Sequence, residues 1–250
     1  MKEAEYTRFR MLSHLITKGI RSSQAARSYF VLILLMTFSI KAHCETPADV
    51  GDIAKDLQHQ LLHETGPVRG HIRKDGKKVN FESRSDAGFL DLKMTDTGER
   101  FRVALKGPGV VEKQNGGIWK SQASLDASKN IPGTDIAFED VAFRFLFWSD
   151  LSSIGSSFIR TRHCIGLRFT NPSTQAVYKY VDLWVDQNTW APIRALVYGA
   201  GPVELKQLDV ISFFKRGIHS IRITNNPGQN VNTVSQEYLE FEEVKSSEGN

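Results

Sequence analysis

Cysteine is scarce in this chain, with two among 250 residues, Cys44 and Cys164. If Cys44 belongs to a leader, as argued below, Cys164 stands alone. A lone cysteine forms no internal disulfide, so the domain must be held by its apolar core. Long apolar runs are also lacking. The one stretch of note, Phe30 to Ile40 (FVLILLMTFSI), is shorter than the ~20 residues of a membrane-spanning helix. No Gly-x-Ser-x-Gly elbow, phosphate-cradling glycine loop or Cys/His metal cluster occurs, so the common signatures of nucleophilic, nucleotide and zinc chemistry are missing. A basic face is lacking too, although the net charge is +4 and the pI about 9.0. Residues 1–44 carry seven of the 32 basic side chains and two of the 28 acidic ones, which leaves residues 45–250 at 25 basic against 26 acidic, a net of −1. A nucleic-acid-binding domain needs a basic face to meet phosphates, and the main body offers none.

The basic leader reads as an export signal. Arg21 and Arg27 precede the apolar run, whose length suits a signal's apolar core of ~7–15 residues, and Ala42-His43-Cys44 follows. Small residues at the two positions a signal peptidase reads place cleavage after Cys44, with Met1 or Met11 as the start. This predicts a signal peptide over 1–44 and one mature periplasmic domain over 45–250. An uncleaved anchor helix is the other reading of the run, disfavoured by Lys41 at its end. Lipidation of Cys44 is a further option, but Lys41-Ala42-His43 matches the usual Leu-Ala-Gly approach only in its middle residue.

The mature chain has ample length for one core. Val50, Ile53, Leu57 and Leu61 recur at helical spacing, predicting an amphipathic helix from Ala48 to His63. His59 and His63 are four apart, a spacing that can hold a metal, but Gln60 stands where the zinc-protease pattern has Glu, and both fall on the polar side. No metal and no cofactor is expected.

Short extended segments then follow, divided by turn residues. Asp75-Gly76 and Asn115-Gly116 are hairpin signals. Strands are expected over 68–73, 78–83, 89–94, 100–105, 110–113 and 117–120, and again over 157–170, 176–186, 192–198, 204–214, 218–224 and 232–244. The fold expected is mainly β (α+β): a curved antiparallel sheet forming a half-open barrel, with an N-terminal helix and a short aromatic lid helix. On the strand from Val177 to Asp186, Val177, Val181, Leu183 and Val185 face one way and Tyr178, Tyr180 and Trp184 the other; the alternation does not say which set lines the interior. His163 and Cys164 are neighbours on a strand and so point to opposite faces, which argues against a catalytic pair.

The middle of the chain is the informative part. Pro132-Gly133-Thr134-Asp135 leads into Ile-Ala-Phe-Glu-Asp-Val-Ala-Phe-Arg-Phe-Leu-Phe-Trp148. Asp135 suits an N-cap, and Glu139 and Asp140 suit a first turn. From Val141 to Trp148 only Arg144 is polar, so a helix here is buried on several faces. It is either an ordinary packed helix or a lid over an apolar cavity, with the Ser- and Gly-rich stretch 151–157 as its hinge.

Three blocks together, Gly133-Thr-Asp-Ile-Ala-Phe-Glu-Asp-Val141, Phe145-Leu-Phe-Trp148 and Tyr180-Val-Asp-Leu-Trp-Val-Asp186, resemble the outer-membrane lipoprotein-sorting proteins, the broad superfamily of the periplasmic carrier LolA. The resemblance covers about residues 60–245. It implies a half-open antiparallel barrel with an apolar cavity and no catalytic residues, and it makes Gly133, Thr134, Asp135, Asp140 and Asp186 the motif positions. Phe143, Leu146, Phe147 and Trp148 on the lid, with Trp119 and Trp184 on strands, are the expected lining of the cavity. An acylated lipoprotein or a lipid is the expected partner, with inner- or outer-membrane sorting components as further ones, no nucleic acid, and a monomeric state. The energetics are coherent with such a role. Each buried methylene stabilises by about 0.8 kcal/mol, so three long acyl chains, on the order of 40 methylenes, need about 30 kcal/mol of apolar shelter as an upper bound.

Two other classes remain open at this point. One is an envelope module of the same fold that holds a protein partner. The other is an enzyme built where His71, His163 and His219, on separate strands, converge.

Overall fold

A computed structural model describes residues 49–62, 67–86, 88–214, 217–227 and 234–242 of the chain. The leader, the cleavage site, Cys44, His63 and the end of the C-terminal tail lie outside the described residues. The main body, from Ala48 on, clusters as one compact unit.

Helix α1 (Val50–Leu62) opens the domain and buries Ile53 and Leu57 of the apolar stripe anticipated from spacing, with Ala54 beside them and Val50 half-buried. Among the described residues thirteen strands follow: β1 (Val68–Lys74), β2 (Lys77–Asp86), β3 (Phe89–Met94), β4 (Arg100–Ala104), β5 (Val110–Asn115), β6 (Ile118–Asp126), β7 (Asp150–Ile159), β8 (Arg162–Thr170), β9 (Tyr180–Asp186), β10 (Pro192–Tyr198), β11 (Glu204–Phe214), β12 (Gly217–Asn225) and β13 (Ser235–Phe241). They form one antiparallel sheet in the order β6-β5-β4-β3-β2-β1-β13-β12-β11-β10-β9-β8-β7. The two outermost strands, β6 and β7, are consecutive in sequence. The segment joining them, residues 127–149, therefore runs from one open edge of the sheet to the other and carries α2 (Phe138–Val141) and a 3-10 turn (Arg144–Phe147).

The sheet is strongly curved. At the tip of the β7–β8 hairpin Arg160 donates to the carbonyl of Val210 on β11 at 2.8 Å, three strands away from β8 in sheet order. The inner face carries one continuous core that includes Phe81, Leu92, Phe101, Val103, Leu167, Phe169, Val181, Leu183, Val185, Ile221, Ile223 and Leu239, closed over by Leu57, Phe138, Phe145 and Trp148. The half-open antiparallel barrel read from the sequence is thus the observed architecture.

Three local expectations need correction. The segment 157–170 is not one strand: Arg160 and Thr161 form a tight turn between β7 and β8. The proposed hinge over 151–157 is most of edge strand β7, which β8 pairs along its length. Its signature is faint because an edge strand with exposure on both sides shows no apolar alternation. The third concerns 138–148, which is not one helix. Phe143 takes a left-handed conformation (φ 45°) and divides α2 from the 3-10 turn.

Candidate functional site

Polar side chains at both ends seat the lid. At its start Ile131-Pro132-Gly133-Thr134 is a type II turn: Gly133 supplies the positive φ (82°), and the Thr134 amide donates to the Ile131 carbonyl at 3.0 Å. The Thr134 hydroxyl, buried, donates to the Ile131 carbonyl at 3.1 Å and accepts from the Ile136 amide at 3.1 Å. Asp135 is not an N-cap; Ala137 occupies that position. The Asp135 carboxylate instead pairs with Lys74 at the end of β1 and accepts from Ser235 on β13 at 3.2 Å. The Lys74 bond is the main cause holding its carboxyl below the ordinary range. The backbone amide of Asp135 donates to the Glu237 carboxylate at 3.0 Å, and burial raises that carboxyl.

Asp140 is the central bolt, nearly fully buried. It accepts from its own helix at the Ala137 amide (2.8 Å), from the Tyr178 hydroxyl (3.0 Å) and from Lys206 on β11 (2.5 Å). The far end of the lid is held by Arg144, which pairs with Glu139 at 3.2 Å and donates to the carbonyls of Ala104 (3.0 Å) and Gly107 in the β4–β5 connection. Glu139 and Arg144 are both buried. Burial, and then repulsion from Asp140, pushes the Glu139 carboxyl up to about 7 against the opposing pull of Arg144.

Beneath the lid lies a cavity of about 520 Å³. Its lining comes from the lid (Phe143, Phe145, Leu146), from α1 (Leu57), from the floor (Leu183, Ala195, Leu208, Val210, Ile221) and from a rim formed by Trp190 in the β9–β10 turn with Phe213, Phe214 and Ile218 where β11 meets β12. Arg162, Thr189 and Arg194 are its polar members. Irregular pairing at Val210, Ser212 and Phe213 allows the end of β11 to depart from strict alternation, so that both Phe213 and Phe214 reach the rim.

Of the six residues expected to line a cavity, Phe143 and Leu146 do. Phe147 packs against the core beside it, and Trp148 is buried within the core. Trp119 lies on the outer face, under the guanidinium groups of Arg100 and Arg102. Trp184 is on the outer face too, where its ring covers Gly166; a Cβ there would lie 2.9 Å from it. The parity left open on β9 is therefore settled: Val181, Leu183 and Val185 face the interior. Val177 and Tyr178 lie before the strand begins: Val177 is exposed, and Tyr178 turns inward to Asp140. Of the motif positions, Gly133, Thr134, Asp135 and Asp140 seat the lid. Asp186 closes the β9–β10 turn by accepting from the Asn188 and Thr189 amides at 2.9 and 3.0 Å and pairing with Arg162 at 2.9 Å.

The three strand histidines do not converge. His71 meets Glu240, His163 meets Gln187, and His219 meets Ser212. Among the described residues no group of His, Cys, Asp or Glu is arranged to hold a metal, and no helix is long and apolar enough to cross a membrane.

No protein-family model matches the chain, and no curated protein matches it. Solved structures do. The chain is similar to a DUF1329 family protein from Desulfovibrio piger (14% identity, TM-score 0.58, covering 80% of this chain and 92% of that one). It is similar to a domain from Vibrio parahaemolyticus assigned to outer membrane lipoprotein sorting (14% identity, TM-score 0.57, 80% and 92%). It is also similar to a LolA superfamily protein from Nitrosomonas europaea (14% identity, TM-score 0.59, 78% and 91%). At this identity the likeness is one of fold alone: these proteins share the curved antiparallel sheet of this chain.

Proposed function

We propose that the chain is an exported, non-catalytic carrier that binds acyl chains of a lipoprotein or lipid under its lid and takes part in sorting lipoproteins to the outer membrane. The cavity carries this reading: it is lined mainly by aliphatic and aromatic side chains, with a few polar groups at its margin. Pockets of this size and character take apolar ligands. The fold shared with lipoprotein-sorting proteins supports the same reading, as does the basic and apolar leader, which addresses the chain to the periplasm.

The volume bears on the cargo. At about 30 Å³ per water-sized group, 520 Å³ holds about 17 such groups, on the order of one long acyl chain. A cargo with more chains requires the lid to lift. The chemistry needs no nucleophile, metal or cofactor, because transfer here is a partition between two apolar environments. The partners are an acylated lipoprotein or a lipid and the membrane components that load and receive it, with the carrier acting as a monomer.

Native mass spectrometry of the protein purified gently from the periplasm tests this reading. A co-purified acylated species, lost on delipidation, is the expected result. Protein that arrives empty while retaining a single envelope protein would support a binding module in place of a carrier.

A further inference from the structure

The strand registers place three hairpin turns at one end of the sheet: β7–β8 at Arg160-Thr161, β9–β10 at 187–191, and β11–β12 between Phe214 and Gly217. That end is where the cavity has its rim. It carries large apolar side chains that the core does not use: Phe158 is 73% exposed, Ile211 44% and Phe213 40%. Trp190, Phe214 and Ile218 stand beside them, half-buried on the rim. The β7–β8 tip belongs to the same surface, because Arg160 bonds the Val210 carbonyl, one residue before Ile211.

Beside these three turns the exposed charge is basic, and the acidic neighbour at this end is Glu242, exposed just past β13. Asp209 has no exposed side-chain surface and is held by Arg160, Arg194 and Arg222 at 3.3, 2.8 and 2.8 Å. Asp186 is nearly as buried beneath Arg162. Two hidden carboxylates thus support four partly exposed guanidinium groups, and solvent meets only the positive partners.

Backbone strain is concentrated at the same end. Of the six non-glycine residues with positive φ among those described, Arg160 (48°), Thr161 (68°) and Trp190 (56°) lie in these turns. Bulky and β-branched residues rarely adopt this conformation, and it persists where function holds it.

We propose that this end of the barrel is a membrane-docking surface: Phe158, Ile211 and Phe213 enter the interfacial zone of a bilayer, the surrounding arginines meet its anionic phosphates, and the cavity rim faces the acyl layer. Aromatic side chains favour that interface. Apolar insertion combined with basic charge is the two-signal arrangement that gives reversible membrane attachment, and guanidinium groups suit phosphate. An acyl chain leaving the bilayer at this rim reaches the cavity without crossing water. This deepens the carrier reading and rests on it for its purpose, but the surface is tested separately.

The test is flotation of the chain from Ala48 on, which holds the whole described core, with vesicles of phosphatidylcholine with and without phosphatidylglycerol. The expected result is binding that strengthens with phosphatidylglycerol and weakens with salt. Phe158→Asp and Ile211→Asp, at exposed positions outside the cavity lining, should each lower the partition coefficient about tenfold or more. Neither should change the affinity for a soluble fluorescent fatty acid measured without vesicles. Absent vesicle binding overturns the proposal, as does vesicle binding that both variants retain. So does a wild-type dimer that these substitutions dissociate without any vesicle binding, which would assign the surface to a second copy. Loss of fatty-acid binding in the wild type with vesicle binding intact would instead overturn the carrier reading alone.

Discussion

The ammonium of Lys206, on the sheet, lies 2.5 Å from the carboxylate of Asp140, on the lid, and both side chains are almost entirely out of solvent. The contact ties the roof of the cavity to its floor. The Tyr178 hydroxyl supplies the second bond that keeps the carboxylate satisfied, and burial drives that phenol's pKa well above its ordinary value.

Removing one member of this pair strands the other. Lys206→Met should destabilise the domain by about 3–5 kcal/mol, because it leaves a buried charge without its counterpart. Adding Asp140→Leu to it should recover a large part of the loss. Urea denaturation of the two variants checks this, and a double variant no more stable than the single one would contradict it.

Glu139 makes the lid's stability depend on pH. In the unfolded chain this carboxyl titrates near 4.5; in the fold burial, reinforced by Asp140, raises it to about 7. Between those values the folded protein holds a proton that the unfolded chain has released. Stability from this group is therefore full below about 4.5 and falls as pH rises to about 7. Glu139→Gln removes the titration and can still accept from Arg144. Its stability relative to the wild type should rise across that window by an amount on the order of 3 kcal/mol or less. A difference between the two proteins that stays flat from pH 4.5 to 8 would contradict the assignment.

The β7–β8 turn should be improvable. Both of its residues have positive φ, the geometry that Asn-Gly serves in two-residue hairpins, yet the second is Thr161 (φ 68°). Thr161→Gly should stabilise by about 1 kcal/mol, which for a domain of this size raises Tm by about 2–4 °C. Thermal unfolding checks it, and a lower Tm would show that the threonine side chain is held by contacts worth more than the strain.

How much of this was legible in the sequence varies with the physical signal. Asp75-Gly76 announced its hairpin because only residues tolerant of positive φ occupy such turns cheaply; the second hairpin turns one residue later than Asn115-Gly116, at Gly116-Gly117, while Asn115 ends β5 and pairs with Ile118. Arg160-Thr161 makes the same kind of turn without that chemistry, so the end of β7 and all of β8 read as one strand over 157–170. The lid was legible as an aromatic block, and its break at Phe143 was not, since a left-handed phenylalanine leaves no trace in composition. Phe143 and Leu146 were identifiable as lining residues because the lid can bury them only inward. Trp119 and Trp184 read the same way by residue type, yet strand parity turns them outward. The rim at Trp190, Phe213 and Phe214 depends on a turn and on irregular pairing that set which way each ring points. The doublet Phe213-Phe214 before Lys215-Arg216 was the available clue.

The central claim is that the space beneath the lid holds an acyl chain, and titration of the delipidated protein with a fluorescent fatty acid tests it most directly. Phe143→Asp places a charge on the lining at a left-handed position that aspartate tolerates, and Ala195→Trp fills the floor. Both should weaken binding at least about tenfold, while Trp119→Ala on the outer face leaves it unchanged. Binding that survives both inner substitutions, or that is lost with Trp119→Ala alone, would contradict the account.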